Sequence, residues 1–350
     1  MVCKSLIAGV FLFVVGCKKS PDSGQPPAPA VVDSFFSNPL LPGGPDPWVI
    51  QKDTNYYYTN TMGNRVAIYK TSKMSQLAKA NAITVWTPPA AGAYSKNIWA
   101  PEIHVFNQKW YIYFAADDGD NKNHRIYALE NDSPDPLTAS WIFKGKIADT
   151  LNDKWAIDAS AFEYKSQLYF IWSGWQGDVD GEQDIYIAKM KDPLTIDGSR
   201  VKISSPTYPW EKMGAPPVIN EGPEALINSK NQLFITYSAS GCWTDDYSLG
   251  LLTLDAGGDP MNAADWGKTP TPVFSTVAAN GAYGPGHNSF FKSRDGGEDW
   301  LLYHANSSAS QGCGDSRSPR MQKFTWNTDG SPNFGQPVKI NINIKKPSGE

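Results

Sequence analysis

Five short runs of aromatic and β-branched residues recur along the chain, each bounded by turn-forming or charged residues. They are Tyr56-Tyr57-Tyr58-Thr59, Trp110-Tyr111-Ile112-Tyr113-Phe114, Leu168-Tyr169-Phe170-Ile171-Trp172, Leu233-Phe234-Ile235-Thr236-Tyr237 and Trp300-Leu301-Leu302-Tyr303. Their starts lie 54, 58, 65 and 67 residues apart. Such runs read as strands. Each follows a second apolar stretch across a polar turn: Trp48-Val49-Ile50, Ile103 to Phe106, Ala159 to Phe162, Ala225 to Ile227 and Ser289 to Phe291. Every unit therefore opens with a hairpin, and most add further strands such as Arg125 to Leu129, Asp184 to Ala188, Ser248 to Leu252 and Met321 to Trp326. Four strands in about sixty residues is the size of a propeller blade with long loops. The predicted fold is all-β, a five-bladed β-propeller over residues 37–345 with a short tail at 346–350. Two packed sandwiches would absorb as many strands but leave the recurring hairpin unexplained. The one helix-like stretch, Ser72 to Ala82, falls in an inter-strand connection.

The first residues follow another pattern. A basic Lys4 precedes the apolar or Gly run from Leu6 to Val15, too short to span a bilayer and long enough for a secretory core. It ends in Val14-Val15-Gly16-Cys17, which resembles a bacterial lipobox. Residues 1–17 are expected to be a lipoprotein signal peptide with Cys17 as the lipidated residue, and the Pro/Ser-rich residues 18–36 a tether. This predicts an envelope protein held to a membrane only through its lipid. Cys242 and Cys313, both after similar Ser-Ala-Ser stretches, are then exposed to an oxidising compartment. A bridge between them and a pair of buried thiols both fit the sequence.

Composition narrows the function classes. The chain has 31 basic and 35 acidic residues and a net charge of −4, with no electrostatic footprint for nucleic acid. It has four His and four Cys and lacks CxxC, HExxH and a strand-to-helix GxGxxG. What remains is 13 Trp, 16 Tyr and 15 Phe, and a set of acids placed where each blade begins. Pro45-Asp46-Pro47-Trp48, Trp99-Ala100-Pro101-Glu102, Ala156-Ile157-Asp158-Ala159, Asn220-Glu221-Gly222-Pro223-Glu224 and Gly284-Pro285-Gly286-His287-Asn288 precede or open the five first strands. First strands line a propeller's channel, so four blades contribute a carboxylate and one a histidine to a ring. Clustered carboxylates repel, and at least one should retain a proton. A proton donor beside an ionised base is what glycoside hydrolysis requires. Trp48 and Trp99 flank these acids, while Trp172, Trp175 and Trp243 follow inner strands where loops would surround a pocket. A carbohydrate-binding propeller without catalysis explains the aromatics but gives no reason for Asp46, Asp158 and Glu221 together.

PDPW, WAPE, AIDASAF, NEGPE and GPGHNSF, in this order, resemble glycoside hydrolase family 43 over about residues 37 to 340. The resemblance implies an inverting glycosidase with Asp46 as general base and Glu221 as general acid. Asp158 would tune and orient that acid; Glu224 lies close enough to keep the acid assignment open. Trp48, Trp99, Glu102, Trp175 and Arg317 are the implied sugar contacts, with Arg320 an alternative to Arg317. His287 matches a histidine that supports a calcium ion, mostly through water. No cofactor is implied for the chemistry. The segments Gly241 to Ser248 and Arg320 to Trp326 resemble the branch rich in arabinofuranosidases, which implies a monomer acting on arabinose- or xylose-containing glycans. Exo-acting release of L-arabinofuranose is the expectation, with endo-arabinanase and β-xylosidase on the same catalytic plan as alternatives.

Overall fold

The computed structural model describes Gly9 and residues 34–138 and 140–350. The rest of the leader, with Cys17, and the tether up to residue 33 lie outside the described residues. The compact unit spans Phe35–Glu350 and is a five-bladed β-propeller. Blade one comprises Trp48–Lys52, Asn55–Thr59, Val66–Thr71 and Ala82–Trp86. Blade two comprises Lys96–Phe106, Lys109–Asp117, Arg125–Asn131 and Ile142–Ile147. Blade three is built from Ala156–Tyr164, Gln167–Gly174, Glu182–Asp192 and Thr195–Ser204. Blade four has Val218–Ile227, Leu233–Ala239, Ser248–Leu254 and Trp266–Lys268. Blade five has Tyr283–Lys292, Asp299–Asn306, Ser318–Trp326 and Pro332–Asn333. Consecutive strands within each blade pair antiparallel. The first strand of every blade lies against the first strands of both neighbours, so the five close around a central channel.

The recurring aromatic runs are the second strands, and their composition follows from their position. A blade is covered on both faces by its neighbours, so its strands read as continuous apolar runs rather than alternating ones. Lys109–Asp117, for example, is buried from Trp110 onward. One apolar cluster fills each of the five inter-blade interfaces. Ile68 meets Trp110 between blades one and two, Tyr113 and Phe170 belong to the next interface, and Ile171 and Leu252 to the third. Phe234 and Leu301 sit between blades four and five, and Tyr56, Trp300 and Met321 between five and one. Large rings suit wedge-shaped gaps between sheets, where each buries much apolar area.

The two ends of the compact unit seal the last interface. Phe35–Phe36 pairs with Ile344–Lys345, and the Asn38 side chain bonds both the N–H and the carbonyl of Met321, at 3.0 and 2.9 Å. Phe36 packs on Trp300, which places it in the compact unit although its position in the sequence reads as tether. The tail is also engaged: the Glu350 carboxylate accepts the N–H groups of Met74 and Ser75 at 2.7 and 3.2 Å. The helix-like stretch forms a 3₁₀ segment, Met74–Lys79, interrupted at Gln76, with Met74 and Leu77 buried three residues apart.

Candidate active site

One residue in each blade has left-handed backbone at the channel: Asp46 (φ 56°), Ala100 (41°), Asp158 (54°), Gly222 (54°) and His287 (46°). In blades two to five this residue sits in a β-bulge of the first strand, at the breaks Trp99/Glu102, Ile157/Ser160, Glu221/Glu224 and Gly286/Ser289. A bulge bends the strand and re-aims its side chain. Two residues further on stand Trp48, Glu102, Ser160, Glu224 and Ser289, a second tier one pleat along the same strands. The upper tier opens into a pocket of about 640 Å³ whose lining includes Asp46, Asp158, Glu221, His287 and Arg317. None of the second-tier residues lines it. Left-handed backbone costs a non-glycine residue roughly 1 kcal/mol, and three upper-tier positions carry it on an ionisable side chain.

On one side of the pocket Asp46 is surrounded by donors. Arg317 Nη1 lies 3.0 Å from its Oδ1 and His287 Nδ1 3.3 Å from the same oxygen. The Asp46 N–H donates to His304 Nδ1 at 3.0 Å. That nitrogen is therefore unprotonated, and its 3.5 Å approach to Asp46 Oδ1 is no ion pair. Burial opposes ionisation of Asp46, but the Arg317 guanidinium, helped by a hydrogen bond from the Thr61 side chain, outweighs it and holds the carboxyl well below the usual range. Burial pushes both His287 and His304 down, so they serve as neutral hydrogen-bonding rings. Asp46 is an anion poised to accept a proton.

Across the pocket the surroundings reverse. Glu221 is half-buried at the pocket wall, accepts a hydrogen bond from Tyr247 Oη at 2.8 Å, and faces Asp46. Burial raises its pKa to about 7; the Tyr247 bond opposes the rise and the Asp46 charge adds to it. Asp158 Oδ2 accepts the Gly222 N–H at 3.1 Å, and burial together with the nearby Glu221 and Asp46 carboxylates drives Asp158 well above its ordinary value. The Glu-Gly-Pro turn needs glycine at its centre twice over. Gly222 has φ 54°, and a Cβ there would sit 3.2 Å from the His287 ring. The turn thus fixes Glu221 while presenting its next N–H to Asp158. A carboxyl that holds a proton near neutrality stands beside one that does not.

The remaining predicted contacts divide between the two tiers. Trp99 lines the pocket, stacked on His124 at 4.0 Å. Trp48 instead packs between blades one and two, donating from Nε1 to the Ile103 carbonyl at 2.8 Å, with its ring 4.7 Å from His104. Glu102 is likewise below the pocket, where His104 Nε2 lies 3.1 Å from its carboxylate. Both differ from expectation because Asp46 in blade one and Trp99 in blade two face the pocket, and the chain has turned away from it by Trp48 and Glu102. Trp175 stands behind the wall: it stacks on Trp155 at 4.9 Å, and Trp155 is the ring that lines the pocket. Glu224 hydrogen-bonds Glu102 and accepts Ser160 Oγ at 3.3 Å, away from the pocket. Arg317 lines the pocket, whereas Arg320 is fully buried and donates to the carbonyls of Gly281 and Ala305. Cys242 and Cys313 form a disulfide at the rim. Tyr247, His304 and Trp155 were not singled out by sequence, since each reads as an ordinary aromatic in or beside a strand. Among the described residues no group of three or more His, Cys, Asp or Glu side chains is arranged to hold a metal ion. His287 alone supplies no calcium cage.

A propeller pocket with an ionised carboxylate facing a protonated one defines a glycoside hydrolase site. The family model for glycosyl hydrolases family 43 matches residues 36–332, and the chain belongs to that family. It is 41% identical over 321 residues to an extracellular exo-α-(1→5)-L-arabinofuranosidase of Streptomyces avermitilis, covering 89% of this chain and 65% of that protein. It is 37% identical to α-L-arabinofuranosidase 43 of Humicola insolens, covering 87% of this chain and 64% of the relative. The chain therefore spans just under two thirds of the length of these curated relatives. The crystal structure of an α-L-arabinofuranosidase from Lactobacillus brevis superposes with a TM-score of 0.81 at 36% identity, covering 88% of this chain and 98% of that one.

Proposed function

We propose that the protein is an inverting, exo-acting α-L-arabinofuranosidase that releases L-arabinofuranose from arabinan or arabinoxylan-type glycans. The observation that carries this reading is a pair of carboxyls on one pocket with opposite partners, the Arg317 guanidinium 3.0 Å from Asp46 and the Tyr247 hydroxyl 2.8 Å from Glu221; the names of its relatives support the choice of sugar. Water held by the Asp46 carboxylate attacks the anomeric carbon from one face as the glycosidic C–O bond breaks on the other. Asp46 takes the water proton and Glu221 gives its own to the departing oxygen, so no charge is left on the leaving sugar. Arg317 keeps Asp46 ionised and extends into the pocket toward sugar hydroxyls. Asp158 acts through Gly222, accepting its N–H and so holding the Glu221 turn in place.

Product analysis on linear α-1,5-arabino-oligosaccharides tests the reading. Stepwise loss of single arabinose units, first seen as the β anomer by proton NMR, is the expected result. Internal cleavage would replace it with an endo-arabinanase, faster release from xylosides with a β-xylosidase, and binding without any released sugar with a lectin-like propeller. The sequence of the leader supports envelope anchoring through Cys17. Partition into a detergent phase that Cys17→Ala abolishes is the matching test. Participation of water-bound calcium near His287 would show as lost activity after exhaustive chelation.

A further inference from the structure

One large apolar side chain at the pocket rim is held rigidly with a face left open. Trp243 lines the pocket and is 43% exposed, yet it is seated from behind. Its Nε1 donates to the Gly214 carbonyl at 3.2 Å. A Cβ on Gly241 would meet Cε2, Cζ2 and Cδ2 of the ring at 2.4, 2.6 and 2.8 Å, so the indole lies face-down on that glycine. A Cβ on Gly214 would approach Nε1 within 2.7 Å. Both chain neighbours are fixed: Cys242 by its disulfide to Cys313, and Thr244 by donation from Oγ1 to the Gly241 carbonyl at 2.8 Å. A ring immobilised this way has already lost its rotamer entropy, and its exposed face keeps unburied apolar area beside a polar pocket. That is the form of a stacking platform: one face supported, the other free for a flat apolar ligand surface.

The side of the pocket follows from the chain. Trp243 and Glu221 come from the same blade, and Tyr247, four residues after Trp243, is the residue that bonds Glu221. A general acid protonates the leaving oxygen, so the leaving sugar lies on the acid's side. We propose that Trp243 is the platform of the leaving-group subsite, stacking against the CH face of the pentose that follows the scissile bond in a linear arabino-oligosaccharide. This rests on the arabinofuranosidase reading above and adds to it the residue that favours sugar chains over glycosides without a second ring.

The decisive comparison uses Trp243→Ala on arabinotriose and on α-L-arabinofuranosyl fluoride, whose leaving group cannot stack. Loss of one sugar–indole contact corresponds to roughly tenfold in kcat/KM for the triose, carried mainly by KM, with a several-fold smaller loss for the fluoride. Trp243→Phe restores most of the difference. Gly241→Ala, which leaves the indole present but displaces it, reproduces the selective loss. Equal losses on both substrates, or none on the triose, overturn the platform. Binding of arabinotriose to Glu221→Gln with and without Trp243→Ala reads the same contact without turnover. Weaker binding in the double variant from a wild type that releases no arabinose would keep the platform and reject the arabinofuranosidase reading. Undiminished binding would reject the platform itself.

Discussion

The two tiers of the channel place the same residue types one pleat apart and use them differently. In the upper tier Asp46, Asp158 and the adjoining Glu221 open onto a pocket, with the Arg317 guanidinium on Asp46 and the Tyr247 hydroxyl on Glu221. In the lower tier Glu102 and Glu224 bond one another, His104 and Ser160, away from the pocket. Burial, with Glu102 beside it, raises Glu224 well above its ordinary value. Burial alone therefore does not make a functional acid. The upper acids differ because the pocket brings them to a common substrate and because their partners push them in opposite directions.

The largest effect expected of breaking this contrast is at the two reacting carboxyls. Asp46→Asn and Glu221→Gln each remove a proton acceptor or donor at unchanged volume, and turnover on arabino-oligosaccharides should fall roughly 10²–10⁴-fold. In the lower tier Glu102→Gln or Glu224→Gln still fills the channel and preserves hydrogen bonding, so steady-state rates should stay within about tenfold of the parent. A lower-tier loss as large as that of Glu221→Gln would erase the functional distinction between the tiers.

Arg317→Ala sharpens the contrast from the base side. Without the guanidinium 3.0 Å away, the balance at Asp46 shifts toward its burial cost, which favours the neutral form. The acidic limb of the kcat/KM profile should move up by roughly one to three pH units, beyond any loss of sugar binding. An unmoved limb accompanied by a higher KM would reassign Arg317 to substrate contact alone.

Much of this contrast was visible in the sequence, and its blind spot has a geometric cause. The acid-bearing turns mark the channel end of each blade, and Asp46, Asp158, Glu221, His287 and Arg317 come together as their motifs suggest. Trp48 and Glu102 belong to the same short motifs, yet they face the lower tier. Choosing between them requires knowing which residue adopts the left-handed bulge. Ala100 takes that position in blade two, and nothing in its side chain signals it. His304 and Tyr247 were hidden for another reason: they lie on blades five and four, and their importance comes from reaching Asp46 and Glu221. Continuous aromatic runs reveal blades well because both faces are buried, but that same uniformity conceals the few rings turned toward the pocket.

The smallest expected effect concerns the acid side alone. Glu221 must be protonated to donate, so with a pKa of about 7 it makes activity fall as pH rises through neutrality. Asp46 must be ionised, and its depressed pKa leaves that condition satisfied until well into acid. Tyr247 donates to Glu221 and thereby favours the ionised form. Tyr247→Phe removes only that hydroxyl and leaves the ring stacked near His304, 5.8 Å away. The basic limb of kcat/KM should therefore move upward by roughly half to one pH unit while the acidic limb stays in place. A downward shift would mean that the hydroxyl supports the protonated acid instead, and a shift in both limbs would mean that Tyr247 couples the two sides of the pocket.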